Sequence, residues 1–100
     1  MIIAERHLPA SFGQLRLALH APEHVGSDWR CWYEIDWPNN PRRFHAHGID
    51  AMQALLIAMQ MMSAELYTSQ AFKDGELAKD GFSLPVPVTL RDMAAGVDRE

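Results

Sequence analysis

The segment 51–71 most constrains the fold of this chain, because it contains no Gly or Pro and is rich in Ala, Leu, Met and Gln. These residues are strong helix formers. Asp50 stands before the segment as an N-cap candidate, and Gln53 follows three residues later, as in a capping box. Gly75 in "KDG" is a candidate helix terminator. The sequence therefore predicts one long helix over about residues 51–71.

Four short segments before this helix have the composition of β-strands, and in "QLRLALH" the leucines alternate with other residues. The predicted strands span about residues 2–8, 14–20, 29–37 and 42–48. Prolines in "FSLPVPV" predict an extended tail at 81–88, with a short helical turn at about 89–95. The predicted fold class is α+β, and residues 1–100 form one domain. A four-stranded antiparallel β-meander carries one long helix across one face, followed by an extended C-terminal tail.

The third strand places one tryptophan on its charged side. Cys31, Tyr33 and Ile35 form an apolar row, whereas Trp32 shares the other face with Glu34 and other ionisable residues. Trp32 is interpreted as a ring packed on a polar sheet face, as an exposed aromatic anchor for a protein partner, or as a base-stacking ring. If "PNNP" is a four-residue loop, the hairpin pairs Ile35 with Phe44, Glu34 with His45 and Trp32 with His47.

The sequence "HAH" provides the one spacing typical of metal ligands. His45 and His47 project from the same face of a strand, and Glu34 across the predicted hairpin is a candidate third ligand. The alternative is a pair of solvated histidines balanced by Glu34. No further ligands stand at zinc-site spacing, so no cofactor is predicted.

The predicted helix is apolar on more than one side. Met52, Leu55, Met59 and Met62 fall on one arc, which is sufficient to pack on the sheet. The opposite arc supplies the candidate interface residues, which are Leu56, Ile57, Gln60, Met61 and Tyr67. Either the C-terminal tail folds back over this arc, or a second copy packs against it in a two-fold dimer. Both alternatives remain open from the sequence, and a homodimer is the prediction.

Composition narrows the classes of partner and compartment. The net charge of −4 argues against nonspecific binding to nucleic acid, because phosphates are bound mainly through Lys and Arg. The apolar stretch 51–64 is too short to span a bilayer and no signal peptide is recognised, so no membrane association is predicted. A single cysteine excludes an internal disulfide and fits a reducing, cytoplasmic location.

Several longer segments resemble a family of short bacterial proteins described as a domain of unknown function. These segments include "YEIDWP", "HGIDAMQALLIAMQ" and "ELYTS", and Trp32 departs from the family pattern. The resemblance implies a bacterial, cytoplasmic, single-domain protein and carries over no activity or site residues. The leading functional hypothesis is a non-enzymatic homodimeric interaction module, although enzymatic activity is left open. The alternative is a metal- or small-ligand-binding protein that uses His45, His47 and Glu34.

Overall fold

The computed structural model describes residues 1–77 and residue 84, and it shows an α+β fold with five strands followed by two helices. The elements are β1 (Ile2–Ala10), β2 (Gly13–His20), β3 (Glu23–Val25), β4 (Asp28–Ile35), β5 (Arg42–Gly48), α1 (Ala51–Thr68) and α2 (Gln70–Lys73). The predicted α+β class, antiparallel sheet and single long helix are confirmed. The predicted tail 81–88 and turn 89–95 lie outside the described residues, apart from residue 84. Neither α1 nor α2 has the length and apolarity needed to cross a bilayer.

The sheet follows the predicted meander but has one more strand than predicted. β5 pairs with β4 from Trp29 to Ile35, so β2 and β3 must share the other edge of β4. β2 and β3 follow one another along this edge and are separated by Ala21 and Pro22. Pro22 interrupts the strand because proline has no N–H to donate to the ladder. β3 lies in a segment between two predicted strands, for which no strand was predicted. It joins β4 through a tight turn at Gly26, whose φ of 63° lies in the left-handed region.

The predicted register of the β4–β5 hairpin was wrong by two residues. Ile35 pairs with Arg42 and Trp32 pairs with His45, so the loop runs over residues 36–41 rather than through "PNNP" alone. Trp37 lies in this loop, where its carbonyl accepts a bond from the Asn40 N–H. A shift of two residues keeps every side chain on its predicted face. The apolar and polar faces of the sheet therefore remain as predicted.

Helix α1 begins as predicted and ends three residues early. The Asp50 side chain accepts the Gln53 N–H at 2.8 Å, and the Gln53 side chain accepts the Ile49 N–H at 2.7 Å. Thr68 is the last residue of α1, because Ser69 adopts an extended conformation and then caps the short helix α2. Gly48 is essential to the junction between β5 and α1, since an added Cβ would lie 2.4 Å from the Ala54 backbone nitrogen.

The core lies between the inner face of the sheet and α1, which packs mainly over β4 and β5. Alternate residues of β2 and β4 face the helix, and α1 contributes one residue per turn. The buried residues that form this core are Leu8, Leu15, Leu17, Leu19, Cys31, Tyr33, Ile35, Ala46, Ala54, Ala58, Met62, Leu66 and Leu77. After α2, the chain returns to the sheet, where Leu77 forms a bridge to Ala10.

Candidate functional site

One end of the molecule collects most of the exposed large apolar side chains of the described residues. β1 starts beside the end of β2, where the Ala21 N–H donates to the Met1 carbonyl at 2.8 Å. The β3–β4 hairpin, the end of β5 at Gly48 and the start of α1 meet at this same end. We call this surface the apolar end, and it comprises Met1, Ile2, Ile3, Val25, Ile49, Met52 and Leu56.

The first turns of α1 and the residue before them form the most exposed part of the apolar end. Ile49 is 75% exposed, Met52 is 81% exposed and Leu56 is 47% exposed. Met52 and Leu56 are four residues apart and therefore lie on one side of the helix.

The candidate interface residues of the sequence prediction divide between exposed and partly buried positions. Leu56 belongs to the apolar end, whereas Ile57, Gln60, Met61 and Tyr67 are partly buried. The exposed apolar surface of α1 is therefore concentrated in its first half. Farther along the helix, a cavity of about 150 Å³ separates α1 from β1 and β2. It is lined by Ala4, Glu5, Arg6, Leu17, Leu19, Met59, Met62 and Leu84.

The outer face of the sheet, which faces away from α1, carries an ionic network around Arg16. The guanidinium donates to Glu5 at 2.8 and 3.0 Å, and its Nη1 donates to Glu34 and Asp36 at 3.1 Å. His20 Nε2 lies 2.5 Å from the other Glu34 oxygen. Hydrogen bonding to His20, and secondarily to Arg16, lowers the pKa of Glu34 below its usual value. The Glu34 carboxylate is therefore held on the β1–β2 side of the face.

Trp32 lies at the centre of a second, more basic cluster on the same face. Arg43 lies 4.3 Å and Arg30 lies 5.5 Å from its ring centre, and His45 meets the ring edge-on at 4.5 Å. The indole N–H donates to Glu23, which also accepts from Arg30. Trp32 is partly buried, and its ring is in contact with three neighbouring side chains. We call Arg30, Trp32, Arg43, His45 and His47 the basic cluster.

The structure shows only part of the geometry that the predicted metal site needs. His45 and His47 lie on one face with ring centres 4.8 Å apart, as their spacing predicted. Glu34 pairs with Arg43 in the β ladder rather than with His45, and its carboxylate bonds Arg16 and His20. Within residues 1–77 and 84, no three His, Cys, Asp or Glu side chains are grouped so as to hold a metal ion. The metal site stays a prediction.

Two buried titratable groups lie on the inner face. The Tyr33 hydroxyl donates to Glu65 of α1, and Arg42 bonds both oxygens of the same carboxylate at 3.1 Å. Burial, and secondarily the bond to Glu65, raises the pKa of Tyr33. Burial also raises the pKa of the Cys31 thiol to about 11, which leaves it protonated at neutral pH.

The comparison with family models assigns the chain to a family. Residues 4–88 match the model described as "Domain of unknown function (DUF6968)". The chain belongs to the DUF6968 family. This match confirms the predicted resemblance to a domain family of unknown function. The comparison with curated proteins gave no match, and the comparison with solved structures gave none.

Sequence reasoning missed the apolar end of this DUF6968 domain. Its residues come from the N-terminus, the β3–β4 hairpin and the start of α1, so no single segment shows it. One local signal was present: "GIDAM" places Ile49 and Met52 on either side of the N-cap Asp50. Met52 is exposed although the first turn packs closely on β5 at Ala54, because its side chain lies on a different side of the helix from Ala54.

Proposed function

We propose that this protein is a non-enzymatic interaction module that associates with a second copy of itself through the apolar end. The observation that carries the proposal is the exposure of Ile49, Met52 and Leu56 where β5 passes into α1. Large apolar side chains that stay exposed close together on a folded protein are typical of surfaces that bind another protein. Ile49, Met52 and Leu56 form such a group, because they lie between the end of β5 and the second turn of α1.

A second copy of the chain fits this surface better than an unrelated partner, because the apolar end needs only apolar surface opposite it. In a two-fold dimer, one patch meets the same patch of the other copy, so Met52 and Leu56 of each protomer contribute equally. Polar residues surround the helical part, and among them Asp50 and Gln53 are already bonded in the helix cap. Association therefore buries apolar side chains without removing the hydrogen bonds of the cap.

The test is the mass of the protein in solution, measured by size-exclusion chromatography with light scattering at roughly 5–100 μM. The wild-type protein is expected to be a dimer. The double variant Met52→Lys/Leu56→Lys is expected to be a monomer, because each copy loses roughly 150 Å² of apolar contact, worth roughly 4 kcal/mol. The cost occurs twice in a symmetric dimer.

The matched control is Phe12→Lys, which also replaces an exposed apolar residue by lysine, at a position that is 38% exposed in the β1–β2 turn at the opposite end. This variant is expected to remain dimeric. Circular dichroism and urea unfolding verify that all three proteins are folded. A monomeric wild type at 100 μM refutes self-association, and a dimeric double variant refutes the assignment to the apolar end.

A further inference from the structure

Arg43, on the outer face, does not form the ion pair with Glu34 that its position in the sheet leads one to expect. It stands opposite Glu34 in the β4–β5 ladder, where opposite charges normally pair. Both Glu34 oxygens are bonded elsewhere, one to Arg16 at 3.1 Å and the other to His20 at 2.5 Å. Arg43 forms no hydrogen bond or ion pair with any carboxylate of the described residues, and its guanidinium lies against the Trp32 ring instead.

The position on Trp32 fixes Arg43 without saturating its hydrogen-bonding capacity. A guanidinium has five N–H donors, and an aromatic contact holds the group in place by cation–π attraction. Arg30 approaches the same ring from the other direction along β4, and it bonds Glu23 at 2.8 Å. Two guanidiniums therefore lie against the Trp32 ring, and Glu23 is the one carboxylate that bonds either of them in residues 1–77.

His45 and His47 lie on the same face as the two arginines. His47 is exposed and pairs with Arg30 in the ladder, while the Nδ1 atom of His45 is buried and has no hydrogen-bond partner. Burial lowers the pKa of His45, and the charges of His47 and Arg30 lower it further.

We propose that the basic cluster binds a phosphate group, with Arg43 as the main ligand and Arg30, which also lies against the Trp32 ring, as a second cation. A phosphate accepts several charge-assisted hydrogen bonds, which suits a guanidinium whose donors bond no carboxylate of the described residues. Nucleic-acid bases are not part of this proposal, because Arg43 and Arg30 occupy positions over the Trp32 ring that a stacked base would need. This site is separate from the apolar end and goes beyond the proposed self-association.

The test is an NMR titration of the full chain with inorganic phosphate at constant ionic strength, with the Trp32 indole N–H and the Arg43 side chain as reporters. Saturable shifts are expected in the wild type. Arg43→Ala is expected to weaken binding by about tenfold or more, and Arg43→Lys to restore part of it. Acetate at the same concentrations is expected to bind more weakly, since it carries less charge.

Arg42→Ala is the matched control, because Arg42 is the adjacent residue and faces Glu65 on the opposite side of the sheet. It is expected to bind phosphate like the wild type. The monomeric Met52→Lys/Leu56→Lys variant is also expected to bind phosphate, which separates this test from the dimer test. Shifts that rise linearly without saturation, equal binding by Arg43→Ala, or acetate binding as tightly as phosphate would each overturn the proposal.

Discussion

The close approach of β5 and α1 at Gly48 leads to a quantitative prediction for Gly48→Ala. An added Cβ would lie 2.4 Å from Ala54 N and 2.9 Å from Ala54 Cα, both backbone atoms that cannot rotate away. Ordinary contact begins at 3.4 Å, so the first turn of α1 must move by about 1 Å. Gly48 does not have a positive φ, so alanine introduces no backbone strain there. The cost is therefore steric.

The magnitude combines three effects. Overpacking in a close-packed region costs roughly 1–3 kcal/mol. Displacement of the first turn also weakens the cap between Asp50 and Gln53, worth roughly 1 kcal/mol. Replacement of Gly by Ala restricts the unfolded chain and offsets this by roughly 0.4–1 kcal/mol. The free energy of unfolding is therefore expected to fall by roughly 1–3 kcal/mol.

Urea unfolding followed by circular dichroism measures this loss. His47→Ala is the matched control, because His47 precedes Gly48 on β5 and is exposed. It is expected to change stability by less than about 0.5 kcal/mol. A Gly48→Ala protein with wild-type stability would show that β5 and α1 do not meet at backbone distance. The placement of Ile49 and Met52 would then be refuted as well.

Two further predictions concern the polar groups on either face of the sheet. Tyr33→Phe removes the bond to Glu65 and is expected to lower the free energy of unfolding by about 1–2 kcal/mol in urea; Arg42 remains to satisfy the carboxylate, and an unchanged value would contradict the buried bond. The second prediction concerns Glu34→Gln. The pKa of Glu34 is lower in the folded state than its unfolded-state value near 4.5. The stabilisation that the Glu34 carboxylate contributes is therefore present above the unfolded-state pKa and is lost as the pH falls through the lower folded-state pKa. The wild type is therefore expected to be more stable than Glu34→Gln by about 1 kcal/mol at neutral pH, and urea unfolding at about pH 3.5 should show a smaller difference; a difference that grows on acidification would reverse the assigned sign.

The sequence was sufficient to predict the faces of the sheet and the start of the helix. Alternation in β2 and β4 assigns each residue to the core or to the outer face, because side chains alternate along a strand. The capping residues Asp50 and Gln53 define where α1 begins, and both make the predicted bonds. These are local properties, and each depends on residues close in the chain.

The register of β4 and β5 could not be obtained in the same way. A shift of two residues keeps apolar residues opposite apolar residues, so the alternation does not distinguish the two pairings. The observed pairing has a longer loop than the predicted pairing, and Trp37 lies in that loop partly buried against the core. β3 was missed because three residues carry too little alternation, and its pairing with β4 depends on the turn at Gly26. The contacts of Trp32 with Arg43 and His45 follow from the observed register and were not predicted.

β5 is an edge strand of the sheet, and its side chains affect how the protein can assemble. Among the described residues it pairs with β4 alone, and Arg42, Arg43, His45 and His47 occupy it. Ionisable side chains on an edge strand oppose the pairing of this strand with the edge of another sheet. Two copies joined at their apolar ends are therefore expected to remain a closed pair on this side rather than continue into a fibre, even though Phe44 of β5 is 43% exposed.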